Sequence, residues 1–389
     1  MKGSGRTRLA ALLLAAMTGR AAAVDVQVLY LEQAVPRPPI LSVLDTAPDD
    51  LGLAGAETGL AENTATGRFL GHDYTLERVI LGEDDDVVAA ARTALEAGHR
   101  LIVANLPAAA LLALADLPEA TGALIVNGAA PDDALRREEC RANLLHTLPS
   151  RAMLTDALAQ FMGRKRWTDW FLITGEGPGD AEYAAALRAS AAKFNAKIVE
   201  ESVWRFDADM RRNAAQEAPL LTRARDYDVV VVADEIGDWA RYVPYNTWLA
   251  RPVAGTEGLA PVAWSPVVEQ WGAAQLQRRF VRATGRGMQP VDFALWAAMR
   301  AIGEAVTRTS SADPATLRAY MLSREFELAV FKGRKATFRG WNGQMRQPIP
   351  LVHARALAGQ APVEGYLHRL SELDTLGQDE PETTCRAFR

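Results

Sequence analysis

Apolar segments of two kinds alternate along the first third of the chain. Residues Val24–Leu31 form an apolar, β-branched run that predicts a strand, and residues 51–66 have the spacing of an amphipathic helix. The alternation continues with strands predicted at residues 76–81, 101–103 and 123–126 and helices at 84–97 and 108–117. Strands that alternate with helices in this way predict βαβ units, in which a parallel sheet is covered by helices on both faces.

A charged segment, residues 132–141, interrupts the pattern before it resumes. Strands are then predicted at residues 170–173, 197–204 and 228–232, and helices at 152–162, 181–194 and up to 225. Residues 273–323 predict helices only, at 274–283, 292–307 and 314–323. Later apolar runs at 326–330, 336–339 and 349–354 predict antiparallel strands, with Asn342-Gly343 as a tight turn. The fold class predicted is therefore α/β, with two doubly wound parallel-sheet lobes and a C-terminal antiparallel hairpin.

The first 23 residues predict a cleavable signal peptide. Lys2, Arg6 and Arg8 form a basic start, residues 9–17 are apolar, and Ala21-Ala22-Ala23 supplies the small residues of a cleavage site. The apolar run is shorter than the roughly 20 residues that cross a bilayer, and no cysteine follows it for a lipid anchor. A short membrane anchor or a buried helix would leave the basic start unexplained. We therefore expect export to the periplasm.

The net charge restricts the class of partner, and the length predicts the number of lobes. The formal charge of the whole chain is −5, and removal of residues 1–23 takes away four basic residues and no acidic one, which leaves −9. An acidic chain is a poor candidate for binding nucleic acid. A length of 389 residues predicts two lobes rather than one core.

The two cysteines, Cys140 and Cys385, are an even number in a chain expected to be exported. An oxidising compartment favours a disulfide between them, and two buried free thiols are the alternative. We expect the disulfide, because Cys385 lies in a polar tail that would otherwise fray.

Seven segments carry a resemblance to a known family, three of them to a subgroup within it. Residues 55–63 (GAETGLAEN) with 67–71 (GRFLG) resemble the first helix of type I solute-binding proteins, the class of the branched-chain amino-acid-binding proteins. The segments WFLITG at 170–175 and YDVVVVAD at 227–234 are similar to the second lobe of that family. Within the family, HTLPSRAM at 146–153, GTEGL at 255–259 and LDTLG at 373–377 resemble a subgroup associated with alcohol oxidation by pyrroloquinoline-quinone (PQQ) enzymes.

The resemblance implies two lobes joined by crossover strands, with a small-molecule ligand in the cleft between them. It implies no cofactor and no catalysis, and it implies an ABC transporter permease as the membrane partner. We place lobe I at residues 24–145 and 263–324, and lobe II at 146–262 and 325–389. A sensory module that reports to a membrane partner without transport is the alternative binding function.

Ligands of such sheets bind outside the carboxyl ends of the strands, which selects three residues in lobe I. Asn105 follows the third predicted strand, and Asn127 and Gly128 follow the fourth. Amide groups there can donate to and accept from a polar ligand, although Asn and Gly are also ordinary turn residues. The family usually has a serine or threonine where this chain has Asn105, and the departure argues against an amino-acid ligand.

Three further candidates belong to lobe II and the return helices. Thr174 begins a glycine-containing loop after a strand, and Asp234 follows the last strand of lobe II. The alternatives are a flexible edge loop for Thr174 and the start of a helix for Asp234. Trp296 stands where the family often has an aromatic-acidic segment, and its ring could form an apolar wall. An aldehyde or acid derived from an alcohol is the ligand that the subgroup resemblance suggests.

Residues that might indicate catalysis or metal binding have simpler explanations. The acidic run at 83–86 lacks the spacing of a calcium loop and precedes a predicted helix, where acids are favoured. A hydrolase would need an activated nucleophile, and no Gly-x-Ser-x-Gly elbow is present. The one Ser-x-x-Lys match, Ser190 to Lys193, lacks the accompanying motifs. We therefore predict neither an enzyme nor a metal site.

Overall fold

The computed structural model describes residues 23–36, 46–205 and 208–388. The predicted signal peptide, except for Ala23, lies outside the described residues. Among those described, no helix combines the length and the apolar character needed to cross a membrane.

The first sheet has five parallel strands in the order β2-β1-β3-β4-β5. Their bounds are β1 Val24–Gln33, β2 His72–Leu81, β3 Leu101–Asn105, β4 Leu124–Asn127 and β5 Leu144–His146. Helices α1 (Leu53–Leu70), α2 (Val87–Glu96) and α3 (Ala108–Ala115) connect them. Alternate side chains of β1 enter two separate apolar clusters, Val28 and Tyr30 on one face and Leu29 and Leu31 on the other. Residues 28–31 are consecutively apolar and buried because both faces of the sheet are covered there.

The second sheet has four parallel strands in the order β7-β6-β8-β9. Its elements are α4 (Arg151–Lys165), β6 (Asp169–Thr174), α5 (Asp180–Lys193), β7 (Lys197–Val203), α6 (Ala208–Leu221), β8 (Val229–Ala233) and β9 (Val253–Gly255). Strand β8 is buried along its whole length and, like β1, divides its side chains between two clusters.

The chain then returns to the first sheet through β10 (Ala260–Pro261), α7 (Ala273–Thr284), α8 (Pro290–Thr309) and α9 (Pro314–Met321). Helix α8 packs closely against α1, because the glycines of α1 present no side chain. A Cβ on Gly55 would lie 1.9 Å from the carbonyl oxygen of Asp292. Asn63 reinforces the contact by donating a hydrogen bond of 2.7 Å to the Met299 carbonyl.

Two antiparallel sheets complete the fold. One contains β11 (Leu328–Ala329), β12 (Lys335–Phe338) and β13 (Met345–Arg346), and the other joins β10 to β14 (Ile349–His353) and β15 (Ala356–Ala361). Phe338 belongs to the apolar cluster of the first sheet, whereas Leu351 belongs to a cluster of the second. The segment after residue 325 therefore packs on both sheets, and the lobe boundaries given above stay a prediction.

The C-terminal tail is attached to both halves of the molecule. Cys385 forms a disulfide of 2.06 Å with Cys140, which lies between β4 and β5. The Gly377 amide donates a hydrogen bond of 2.8 Å to Asp156 of α4. Asp374 accepts hydrogen bonds from Arg339 and Arg346, at 3.0 and 2.7 Å. The tail thus connects the first-sheet side of the molecule to helix α4 on the second-sheet side.

Candidate functional site

A cavity of about 430 Å³, hereafter the cleft cavity, lies between the two parallel sheets. Its walls come from the segments that follow β1, β3 and β4 and from the starts of α4 and α5. The lining residues are Glu32, Gln33, Ala34, Val35, Leu51, Asn105, Leu106, Pro107, Ala108, Ala129, Ala130, Pro131, Asp132, Arg151, Pro178, Gly179, Glu182 and Val291. The cavity is thus at the carboxyl ends of the strands, where open α/β sheets bind ligands.

Asn105 is the one of the six predicted site residues that lines this cavity. Its side-chain amide donates hydrogen bonds to the Tyr30 hydroxyl at 3.0 Å and to the Leu51 carbonyl at 3.3 Å. Those bonds hold the amide plane in place, and the side-chain oxygen accepts no hydrogen bond from the described part of the chain, so a ligand can donate to it.

Asn127 and Gly128 organise the neighbouring loop instead of lining the cavity. The Asn127 side-chain oxygen accepts from the amides of Ala129 and Ala130, at 3.0 and 2.9 Å, and its amide donates to the Ala130 carbonyl and faces His146 Nδ1. Asn127 is fully buried. A Cβ on Gly128 would lie 2.5 Å from Leu295, so glycine is required there for packing against α8. This loop then presents residues 129–132 to the cavity.

Asp234 also stabilises the loop in which it lies. Its carboxylate accepts from the amides of Gly237, Trp239 and Ala240, at 3.0, 2.8 and 2.8 Å. Burial raises its pKa, and the backbone hydrogen bonds oppose that shift. With its acceptors occupied, Asp234 does not reach the cleft cavity.

Thr174 and Trp296 lie elsewhere. Thr174 borders a separate pocket of about 190 Å³ beside β7. Trp296 is buried in the core against Phe293 and Phe331, and its indole donates to Glu62 at 3.1 Å. Trp296, a residue of α8, therefore belongs to the apolar core and does not line the cavity.

Glu32, near the end of β1, contributes a carboxylate that is linked to Asn105 through the Tyr30 hydroxyl. The two residues are aligned in the register of β1 and β3. The Tyr30 hydroxyl donates a short hydrogen bond to one carboxylate oxygen of Glu32. Burial and the adjacent negative charge raise the pKa of Tyr30, so the phenol remains a donor at neutral pH. The chain Glu32–Tyr30–Asn105 fixes all three polar groups at the cavity wall.

Arg151, the first residue of α4, is surrounded by carboxylates. It donates two hydrogen bonds of 2.8 Å to Glu235 and one of 2.5 Å to Glu182, and Asp132 lies at 3.5 Å. The hydrogen bonds to Glu235 and the surrounding negative charge raise the pKa of Arg151 and outweigh its burial, the largest single effect, which lowers it. We refer to these four residues as the Arg151 cluster. It joins the loop after β4 to both α4 and α5.

The amides of Gly175 and Gly177, in the loop before α5, are not free to bind a phosphate, and the Gly175 amide donates to the Ala233 carbonyl at 3.0 Å. The Gly177 amide donates to Asp180 at 2.8 Å, and the other oxygen of that carboxylate accepts from the Glu235 amide at 2.8 Å. The helix start is thus supplied with negative charge by the chain itself.

A second cavity, of about 680 Å³, lies beyond the Arg151 cluster between α5, the segment 132–137 and the tail. Ser190 and Lys193, the predicted chance match, both border it. They contact Asp156 rather than each other, at 2.5 and 2.9 Å. Lys193 also donates to the Gly377 carbonyl, and Asp156 accepts from the Gly377 amide, so Ser190 and Lys193 belong to the network that attaches the C-terminal tail. Within the described ranges, no group of three acidic, histidine or cysteine residues is placed to hold a metal ion.

Sequence reasoning missed Glu32, Asp132, Arg151 and Glu182. The segment after Leu31 is at the end of a predicted strand, and this position alone was a usable signal for Glu32. Arg151 lies inside the HTLPSRAM segment, and its charge was the one property that could have marked it there as a candidate site residue. No local pattern indicated that Asp132 and Glu182, 50 positions apart, meet at one arginine.

Comparisons with known proteins agree with the geometry. A family model described as periplasmic binding protein matches residues 49–234. No curated protein matches the chain.

Three solved structures illustrate the structural likeness. A branched-chain amino acid ABC transporter periplasmic ligand-binding protein from Burkholderia xenovorans LB400 is 16% identical, with a TM-score of 0.71, and the match covers 94% of this chain and 100% of that one. A periplasmic binding protein from Burkholderia mallei is 13% identical, with a TM-score of 0.67 and the same coverage. A solute-binding protein of an ABC transporter from Rhodopseudomonas palustris BisB5, in complex with 3,4-dihydroxybenzoic acid, is 11% identical, with a TM-score of 0.62 and coverage of 86% and 94%.

At these identities the likeness shows the fold. The predicted α/β fold with two parallel-sheet lobes, as in type I periplasmic binding proteins, is therefore confirmed, and so is the presence of antiparallel strands near the C-terminus.

Proposed function

We propose that this chain is a solute-binding protein that captures a small molecule in the cleft cavity and delivers it to an ABC importer. The single observation that carries the proposal is the position of the cavity. It lies between two parallel sheets, at the carboxyl ends of strands from the first and at the starts of helices from the second. A ligand there contacts both halves, so its binding energy favours their approach.

A volume of about 430 Å³ accommodates a small molecule. Asn105 and Glu32 supply fixed polar groups on one wall. Val35, Leu106 and Val291 supply apolar contacts. The ligand is bound and released unchanged in this proposal, because no activated nucleophile borders the cavity among the described residues.

A pair of adjacent alanines provides the test. Ala108 lines the cavity, whereas Ala109, the next residue of α3, is exposed. We expect Ala108→Trp to fill the cavity and abolish ligand binding, and Ala109→Trp to leave binding unchanged. A library of metabolites is screened by thermal shift, since a ligand of the native state raises the Tm by mass action.

Compounds that raise the Tm are then examined by small-angle scattering with each variant. A ligand that decreases the radius of gyration of the parent and of Ala109→Trp, but not of Ala108→Trp, supports the proposal. Binding that survives Ala108→Trp, or a ligand that is consumed on incubation, would contradict it.

The proposal includes export to the periplasm and an inner-membrane permease as partner. The basic, apolar and small-residue segments of residues 1–23 support it. Mass spectrometry of the mature protein should find an N-terminus near Val24. An intact Met1 in the mature protein would contradict export by this route.

A role beside PQQ-dependent alcohol oxidation is the most specific part of the proposal. It is supported only by the resemblance of residues 146–153, 255–259 and 373–377 to that subgroup. Deletion of the gene should impair growth on alcohols and leave growth on sugars unchanged. Equal growth of the deletion strain on both carbon sources would remove this link.

A further inference from the structure

We infer that the cleft cavity takes an organic cation, an amine on an apolar body, in preference to a carboxylate or an amino acid. This inference rests on the proposed function and narrows it to a substrate class. It also differs from the alcohol-derived acid that the sequence resemblance suggested.

The charges on the cavity wall are predominantly negative. Among the described lining residues, Glu32, Asp132 and Glu182 are carboxylates and Arg151 is the one cation, which gives a net formal charge of −2. A carboxylate ligand would enter against this charge, and an ammonium ligand would enter with it.

The guanidinium of Arg151 is already paired with carboxylates of the chain itself. Both Nε and one terminal nitrogen are bound to Glu235, and the other terminal nitrogen is bound to Glu182. Glu235, which does not line the cavity, therefore neutralises the one cation among the described lining residues. The pKa of Glu182 is raised, first by burial and then by Asp132 and Glu235, in spite of the adjacent arginine. Negative charge is in excess around the arginine.

Several helix starts border the cavity and oppose this field, and their positive charge can be compared with the negative charge of the wall. Those of α4 and α8 are already supplied with acceptors, by Ser150 and Asp133 and by Asp292. The N-terminus of α3 borders the cavity at Ala108, and no side chain caps it. A helix end is equivalent to roughly half a positive charge. The start of α5 is already supplied with negative charge by Asp180. Half a charge at α3 does not offset a net formal charge of −2.

Glu32 is the residue most suited to meet the ammonium group. Tyr30 donates to one of its oxygens, and its other oxygen accepts no hydrogen bond from the described residues. The free oxygen of Asn105 is on the aligned position of the next strand. These two acceptors fit a donor-rich head group, since no unpaired cation is present among the described lining residues. Val35, Leu106, Pro107 and Val291 fit an alkyl or aromatic body.

Two series of compounds with a constant body and a variable head group test the inference. The first is 3-methylbutylamine, 3-methylbutanol, 3-methylbutanoate and leucine, and the second is benzylamine, benzyl alcohol, benzoate and phenylalanine. Affinities are measured by isothermal titration with the purified protein. We expect the amine of at least one series to bind about tenfold or more tighter than the alcohol, acid and amino acid with the same body.

Two charge-neutralising variants assign the effect to the cavity. Glu32→Gln keeps an acceptor for Tyr30 and should weaken amine binding about tenfold. Glu96→Gln removes one negative charge from the exposed end of α2, at the opposite edge of the sheet, and should leave binding unchanged. The Tm of each unliganded variant verifies that it is folded.

The inference is overturned if an acid or amino acid binds as tightly as its amine, if no amine binds, or if Glu32→Gln and Glu96→Gln have equal effects. The proposed function has a separate test. A carboxylate that closes the lobes and is blocked by Ala108→Trp would overturn the cation preference and support solute binding. A broad library in which no compound binds would contradict both.

Discussion

Replacing Arg151 with methionine should destabilise the protein much more than replacing an exposed arginine in a similar ion pair. The Arg151 side chain is 7% exposed and Glu235 is 25% exposed, whereas Arg188 and Glu201 on the surface are 45% and 44% exposed. Both arginines make close, fork-like contacts with a glutamate. Because the two ion pairs have similar geometry and different exposure, a difference in stability between the two variants reports the effect of burial.

The expected magnitude follows from the partners left behind. Removing one member of a buried ion pair costs about 3 to 5 kcal/mol, because the remaining charge is buried without compensation. Glu182 is 56% exposed and Asp132 lies at 3.5 Å, so water compensates both in part. We therefore expect Arg151→Met to lower the free energy of unfolding by about 2 to 4 kcal/mol at pH 7. Arg188→Met should lower it by at most about 1 kcal/mol.

Urea unfolding with linear extrapolation measures both values. Adding Glu235→Gln to Arg151→Met should recover more than half of the loss, because it removes the unpaired carboxylate. In Arg151→Met the carboxylates that remain acquire raised pKa values, so the native state binds more protons than the unfolded state above about pH 4.3. The loss should accordingly shrink as the pH falls towards that value. A loss no larger than that of Arg188→Met, or one that does not vary with pH, would refute the reasoning.

Three further predictions concern stability. Replacing Cys140 and Cys385 with alanine opens a loop with a sequence separation of 245 and should lower the free energy of unfolding by about 4 to 5 kcal/mol; an unchanged urea midpoint would contradict it. Gly55→Ala places a Cβ 1.9 Å from the Asp292 carbonyl oxygen and should separate α1 from α8, whereas Gly340→Ala meets no atom within 4 Å and should leave the Tm unchanged. Burial and then Arg136 hold the pKa of His146 well below its ordinary value. The unfolded chain therefore binds a proton below about pH 6.5 that the native protein does not, and lowering the pH from 7.5 to 5.5 should cost about 1.4 kcal/mol at this site. His146→Gln should remove that part of the pH dependence of unfolding.

The central strands could be predicted because both faces of each sheet are covered. Strands β1, β3 and β8 contain buried apolar runs, and such runs predict strands of a parallel sheet that is covered on both faces. Strands β5, β9 and β13 have two or three residues, which is too short for any periodicity to appear. Strand β15, with the sequence ALAGQA, consists of residues that rarely favour strands, and only its pairing with β14 defines it.

Fewer residues of the candidate site could be predicted from the sequence, and Asn127 and Asp234 show the physical reason. The rule that ligands bind beyond the carboxyl ends of strands selected the edge of each sheet at which the cleft cavity lies. A loop that leaves a buried strand, however, carries backbone N–H groups that must find acceptors. The first polar side chain after the strand is best placed to accept from them, and Asn127 and Asp234 do so for residues 129–130 and 237–240. The cavity is then lined by residues further along the loop, such as Asp132. Asn105 does not have this role because the residue two positions later, Pro107, is the N-cap of α3 and has no N–H that needs an acceptor.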